Sequence, residues 1–156
     1  MTNAEHSVLH SMLELERAYP LPPERVFAAW AEPAAKARWF AGDGVDHELD
    51  FRVGGRERVR RPGADAEPEL RFDAVYHDII QGHRIVFAGT LYSDDRPATI
   101  SLTTVRFEPD GDGTRLLLTE QGTFLDGLEQ PSWREQGITT QLQMLSAELN
   151  GSPALS

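Results

Sequence analysis

At 156 residues the chain suits one domain with a core large enough to fold without staples, and 40 % hydrophobic with 26 % charged residues is ordinary globular composition. A net charge of −10 argues against nucleic acid, whose phosphate backbone needs clustered positive charge, and the lack of cysteine removes disulfides, thiol nucleophiles and cysteine-ligated metal centres. No stretch approaches the roughly 20 apolar residues of a membrane span, and the opening MTNAEHSVLHSM lacks a basic region followed by an apolar one, so a cytoplasmic location is expected.

Residues 1–11 read as a flexible leader. In LELERAY (13–19), Leu13, Leu15, Arg17 and Tyr19 alternate with Glu14, Glu16 and Ala18, the period of a strand. In PLPPERVFAAW the prolines suit a helix start, and Val26, Phe27 and Trp30 recur at helical spacing until Pro33 interrupts. A second short helix, PAAKARWF, follows. From about residue 45 to 122 the chain reads as strands joined by short turns such as Gly54-Gly55, Pro62-Gly63, Gln81-Gly82 and PDGDGT, which makes successive strands antiparallel neighbours in a meander. One of them, ELRFDAVYHDII (69–80), would span about 40 Å at roughly 3.3 Å per residue, a length that belongs to a strongly curved sheet.

The last element is a helix over about 131–149, because Ile138, Leu142, Leu145 and Leu149 form one apolar stripe. Ser132 with Glu135 matches a capping box, and Asn150-Gly151 before Pro153 matches a stop, leaving 151–156 as a flexible tail. The whole, 1–156, is a single α+β domain: a curved antiparallel sheet of about seven strands in the order β-α-α-β6-α, wrapped around a long C-terminal helix. One helix cannot fill the concavity of so bent a sheet, so an internal cavity is expected.

Within RLLLTEQG (115–122), Glu120 shares a strand face with Leu116 and Leu118. A carboxylate on a core-facing side is expensive unless it finds a partner or shifts its pKa.

The stretches LERAYPLPPERVFAAWAEPAAKARWFAG and VRFEPDGDGTRLLLTEQGTFLDG resemble the START-like (helix-grip, SRPBCC) superfamily, and most closely its branch named after the activator of the heat-shock-protein-90 ATPase, the AHSA type. The resemblance covers residues 13 to 149 and implies the helix-grip fold; it does not settle function, since that superfamily covers lipid carriers, hormone receptors, aromatase/cyclases, Rieske-oxygenase domains and many proteins without known activity. On the arrangement it implies, counting through the turns sets Thr103 opposite Glu120, Phe87 opposite Thr103 and Tyr76 opposite Phe87, one layer across a single sheet face. The first strand then lies beside the last, which makes Arg17 the obvious partner of Glu120.

Two readings of Glu120 stand: a carboxylate that orients a ligand or transfers protons, and one half of an ion pair with Arg17. Tyr76 and Thr103 offer hydroxyls for the polar end of a greasy ligand, or for bonds within the core. Trp30, Trp39, Phe40, Phe51, Phe87, Phe124 and Trp133 are candidates for the cavity wall, with plain core packing as the alternative. Gly137, inside a helix where glycine costs about 1 kcal/mol, implies close approach to the sheet or room for a ligand. Arg56, Arg58 and Arg60 of RERVRR share one strand face opposite Glu57, Val59 and Arg61, as an anion site or as charge blunting a strand near the sheet edge. Outward-facing Val75 and Leu117 leave room for a contact with a second copy, a homodimer.

No metal or cofactor is expected: His6 and His10 lack a third ligand nearby, and there is no phosphate-cradling loop or serine elbow. The leading expectation is a domain that encloses a small hydrophobic or amphipathic molecule. A cofactor-independent cyclase, dehydratase or hydrolase using Glu120 and Tyr76 is the alternative, and a co-chaperone-like interaction module is a third, against which stands a chain that stops at the domain.

Overall fold

In the structure, a computed structural model describing residues 6–151, seven strands form one antiparallel sheet in the order β1-β7-β6-β5-β4-β3-β2. These are β1 (Val8–Tyr19), β2 (Asp46–Leu49), β3 (Arg56–Arg61), β4 (Leu70–Ile80), β5 (Arg84–Ser93), β6 (Arg96–Asp110) and β7 (Gly113–Leu125). Period-two alternation sorts the faces: Thr103, Val105 and Phe107 on β6 and Leu116, Leu118 and Glu120 on β7 are buried, while Leu102, Arg106 and Arg115 face outward. Pairing follows the register counted from the turns, with Tyr76 opposite Phe87, Phe87 opposite Thr103 and Thr103 opposite Glu120. The first strand lies beside the last, Leu13 facing Glu120 across the ladder. A register shift between Tyr76 and Asp78 interrupts the β4–β5 ladder, and an irregularity of this kind bends and twists a long strand.

Helix α1 (Pro23–Ala31) begins with a proline at its first position, turns Val26, Phe27, Ala29 and Trp30 inward, and stops before Pro33, whose ring cannot continue it. Helix α2 (Pro33–Lys36) widens into a π-helical turn, Ala37–Ala41, which ends at Gly42 with φ of 92°. Trp39 is fixed there by its indole N–H, which donates to the Ala29 carbonyl at 2.8 Å, and by an edge-to-face contact with Trp30 at 4.8 Å between ring centres.

Helix α3 (Pro131–Gly151) crosses the concave face. It starts earlier than the expected capping box: the Gln130 carbonyl accepts from the backbone of Trp133 and Arg134, so Ser132 is already inside the first turn. Its apolar stripe is also unequal. Leu142, Leu145 and Leu149 are buried, Ile138 is only half-buried, and no residue from 131 to 141 is fully buried. The C-terminal half packs on the core; the N-terminal half spans open space.

Two further boundaries differ from expectation. The leader was expected to run to residue 11, yet β1 starts at Val8, which already pairs with Leu125 of β7; the tail was expected from residue 151, yet Gly151 still belongs to α3, and residues 152–156 lie outside the described residues. His10 belongs to β1, so the helical spacing between His6 and His10 does not exist. On β3, Arg58 pairs with Asp73 at 2.9 Å and Arg60 with Glu69 at 2.8 Å in exposed positions next to the short edge strand β2.

Candidate functional site

Between the sheet and the N-terminal half of α3 lies a cavity of about 700 Å³. Its wall takes Phe72 from β4, Phe87 and Leu91 from β5, Thr103 from β6, Leu118 and Glu120 from β7, Trp30 from α1, and Trp39 and Phe40 from the π-helical turn. Ile138, Gln141 and Met144 of α3 form the roof, where Gln141 donates to the Phe40 carbonyl at 3.0 Å. All three tryptophans of the chain, Trp30, Trp39 and Trp133, contribute, the last while 58 % exposed.

The polar end is built from Glu120. Its Oε2 accepts from the Thr103 hydroxyl at 2.8 Å, the direct cross-strand neighbour, and its Oε1 accepts from Arg134 at 3.1 Å. Arg134, in the first turns of α3, also donates through Nε to Glu129 at 3.1 Å, and Glu129 accepts from the Thr99 hydroxyl. Side-chain exposures of 7 % for Glu120, 11 % for Arg134 and 14 % for Glu129 make this a largely desolvated cluster, in which charge-assisted bonds are strong. Both carboxylates and the guanidinium also line the cavity.

Arg17 is therefore not the partner of Glu120. It shares the inward face of β1 as expected, but sits opposite Leu116, four residues along the ladder, and donates to the Glu16 carbonyl instead. The cation comes from α3, a long-range contact that strand register cannot reveal. Arg17 is outside the cavity wall and acts electrostatically on Tyr19, whose hydroxyl burial pushes up to about 12 while Arg17 pulls the other way.

Tyr76 and Phe51 are displaced from the site as well. Phe51 packs edge-on against Phe27 at 5.7 Å and Tyr76 at 5.1 Å, in the core beyond the cavity, because the turn at Arg52–Gly55 bonds to the backbone of Tyr76. Tyr76 donates its hydroxyl to Glu57 at 2.7 Å, and Phe124 also stays out of the wall. Of the expected residues the cavity thus brings together Glu120, Thr103, Phe87, Trp30, Trp39, Phe40, Trp133 and Gly137. A Cβ added at Gly137 would meet nothing within 4 Å, so close approach to the sheet does not require the glycine; the position faces open space.

Behind the aromatic wall is an ionic cluster the sequence reading missed. Lys36 and Glu57, both with fully buried side chains, pair at 2.9 Å. Tyr76 and His47 bond to the same carboxylate, His47 at 2.7 Å, and the Lys36 ammonium lies 4.2 Å from the centre of the Phe40 ring. Burial alone would raise the Glu57 carboxyl, but the Lys36 charge and the bonds from His47, Lys36 and Tyr76 outweigh it and hold the group at about 2. Burial lowers Lys36, with Glu57 offsetting part of that, and raises Tyr76, with the Glu57 charge adding to it. The available signal was Glu57 itself, an acid sharing a strand face with Val59, the same argument that singled out Glu120.

A curved meander gripping a C-terminal helix over an apolar cavity with one polar end defines a helix-grip protein of the START-like class. The chain belongs to the family of activator of Hsp90 ATPase homolog 1-like proteins, whose model matches residues 20–150. Among solved structures, the Mll3558 protein from Rhizobium loti is 46 % identical, with a TM-score of 0.85 over 92 % of this chain and 99 % of that one. An uncharacterized protein from Rhizobium leguminosarum is 39 % identical, with a TM-score of 0.88 over 93 % and 97 %. DynU16, a protein of the dynemicin biosynthetic locus, shares the fold at 15 % identity, a TM-score of 0.65, and 89 % of this chain against 47 % of that one. No curated protein matches the chain.

Proposed function

We propose that this domain binds a small apolar or amphipathic molecule in the cavity under α3, with the polar end of the ligand at Glu120, Thr103 and Arg134. The observation that carries the reading is a cavity of about 700 Å³, within the range of small-molecule sites, lined by aromatic and aliphatic side chains with its polar groups converging at one end. Family membership supports a fold of the ligand-binding type. Catalysis by Glu120 with Tyr76 is weakened, since the Tyr76 hydroxyl is engaged by Glu57 and lies outside the cavity wall.

The tryptophans supply the assay. Titration with a neutral aromatic such as 2-naphthylmethanol should quench their fluorescence saturably, and Gly137→Phe, which projects a ring from an unobstructed helix position in the wall, should abolish it. Absence of saturable quenching by this alcohol and by its amine and carboxylate counterparts, or equal affinity in Gly137→Phe, would refute the reading.

A further inference from the structure

The charges at the polar end do not balance. Glu120 and Glu129 both line the cavity, and among the described residues both are served by one guanidinium, Arg134, leaving this cluster one negative charge in excess. The other two arginines of the wall do not reach it: Arg38 is held by Glu148 through three hydrogen bonds of 2.6 to 3.0 Å, and Arg61 is exposed on β3, four strand spacings of roughly 4.8 Å around the sheet from β7. Acceptor capacity is left over as well. A carboxylate offers about four lone-pair directions; each Glu120 oxygen has one donor, and among the described residues Oε2 of Glu129 has none.

Resting on the cavity-binding reading, we infer that the ligand is an amphipathic amine: an aromatic or aliphatic body among Phe87, Trp39, Phe72 and Leu91, and an ammonium that bonds Glu129 and Glu120 beside Arg134. An ammonium neutralises the excess charge and brings only donors to a cluster with spare acceptors, whereas a carboxylate brings a third anion into a largely desolvated pocket and a hydroxyl leaves the charge uncompensated.

Three probes of one shape separate the cases: 2-naphthylmethylamine, 2-naphthylmethanol and 2-naphthoate, titrated at neutral pH against the full chain by tryptophan quenching and calorimetry. A charge-assisted hydrogen bond corresponds to about tenfold or more in affinity, so the amine should exceed the alcohol by at least about that factor and the carboxylate by more. In Glu129→Gln, and in Glu120→Gln as a second variant, the amine should lose this advantage, so that amine and alcohol bind the same variant about equally; circular dichroism and the unfolding midpoint confirm that each variant is folded. Equal binding of amine and alcohol, preference for the carboxylate, or an advantage that survives both substitutions would overturn the inference and leave the cavity reading standing. Failure of all three probes, the neutral alcohol included, would remove both.

Discussion

The Lys36–Glu57 pair permits a test of what holds the aromatic wall in place. Substituting Lys36→Met keeps the length of the apolar stem but leaves Glu57 as a buried carboxylate whose remaining donors are Tyr76 and His47. At 2.9 Å and an effective dielectric of about 20, the attraction between the two charges amounts to about 6 kcal/mol, and the desolvation of two such ions costs several kcal/mol each. The intact pair therefore contributes little net stability, while removal of one member typically costs about 3–5 kcal/mol because the other charge is stranded. For a domain of this size each kcal/mol moves the unfolding midpoint by roughly 2–4 °C, so Lys36→Met should lower Tm by roughly 6 to 20 °C. Combining it with Glu57→Gln should restore part of the loss, a coupling of about 1–3 kcal/mol in a double-mutant cycle read by urea and thermal unfolding. A Lys36→Met protein as stable as the parent, or single effects that simply add, would refute this account of the cluster.

Glu57, held at about 2 against an ordinary 4.5, binds its proton more readily when unfolded, so its contribution is complete above about pH 4.5 and is lost as pH falls toward 2. Urea midpoints should fall across that window, and Glu57→Gln should flatten the decline; an unchanged acid limb would contradict it. Gly137→Ala should raise stability by up to about 1 kcal/mol, since the Cβ meets nothing within 4 Å and alanine is the better helix former, and a drop in Tm would show that the helix needs the glycine. Arg134→Met should destabilise by stranding Glu120 and Glu129 and should free the N-terminal half of α3 first; hydrogen exchange confined to residues 131–141 is the expected readout, and uniform protection would count against it. Glu120→Gln, which keeps the bond from Thr103, should change ligand affinity more than the unfolding midpoint; the reverse would assign the carboxylate a structural role.

The strands and their register were legible because both are local properties. Period-two alternation says which face a residue takes, short turns say which strands pair, and together they set Tyr76, Phe87, Thr103 and Glu120 in one layer. The apolar stripe of α3 and the proline at the start of α1 are local in the same sense. Tertiary structure alone decided who completes each buried charge. Arg134 reaches Glu120 from the first turns of α3, and Lys36 reaches Glu57 from the end of α2, contacts between side chains of different elements that no strand pattern specifies. Tyr76, bonded to Glu57 and Lys36, lies behind the wall although its strand position matches that of Phe87, which lines it. Alternation constrains the direction of a side chain from its own strand, whereas the identity of what it meets depends on the packing of a separate element, on which the strand's own residues carry no information.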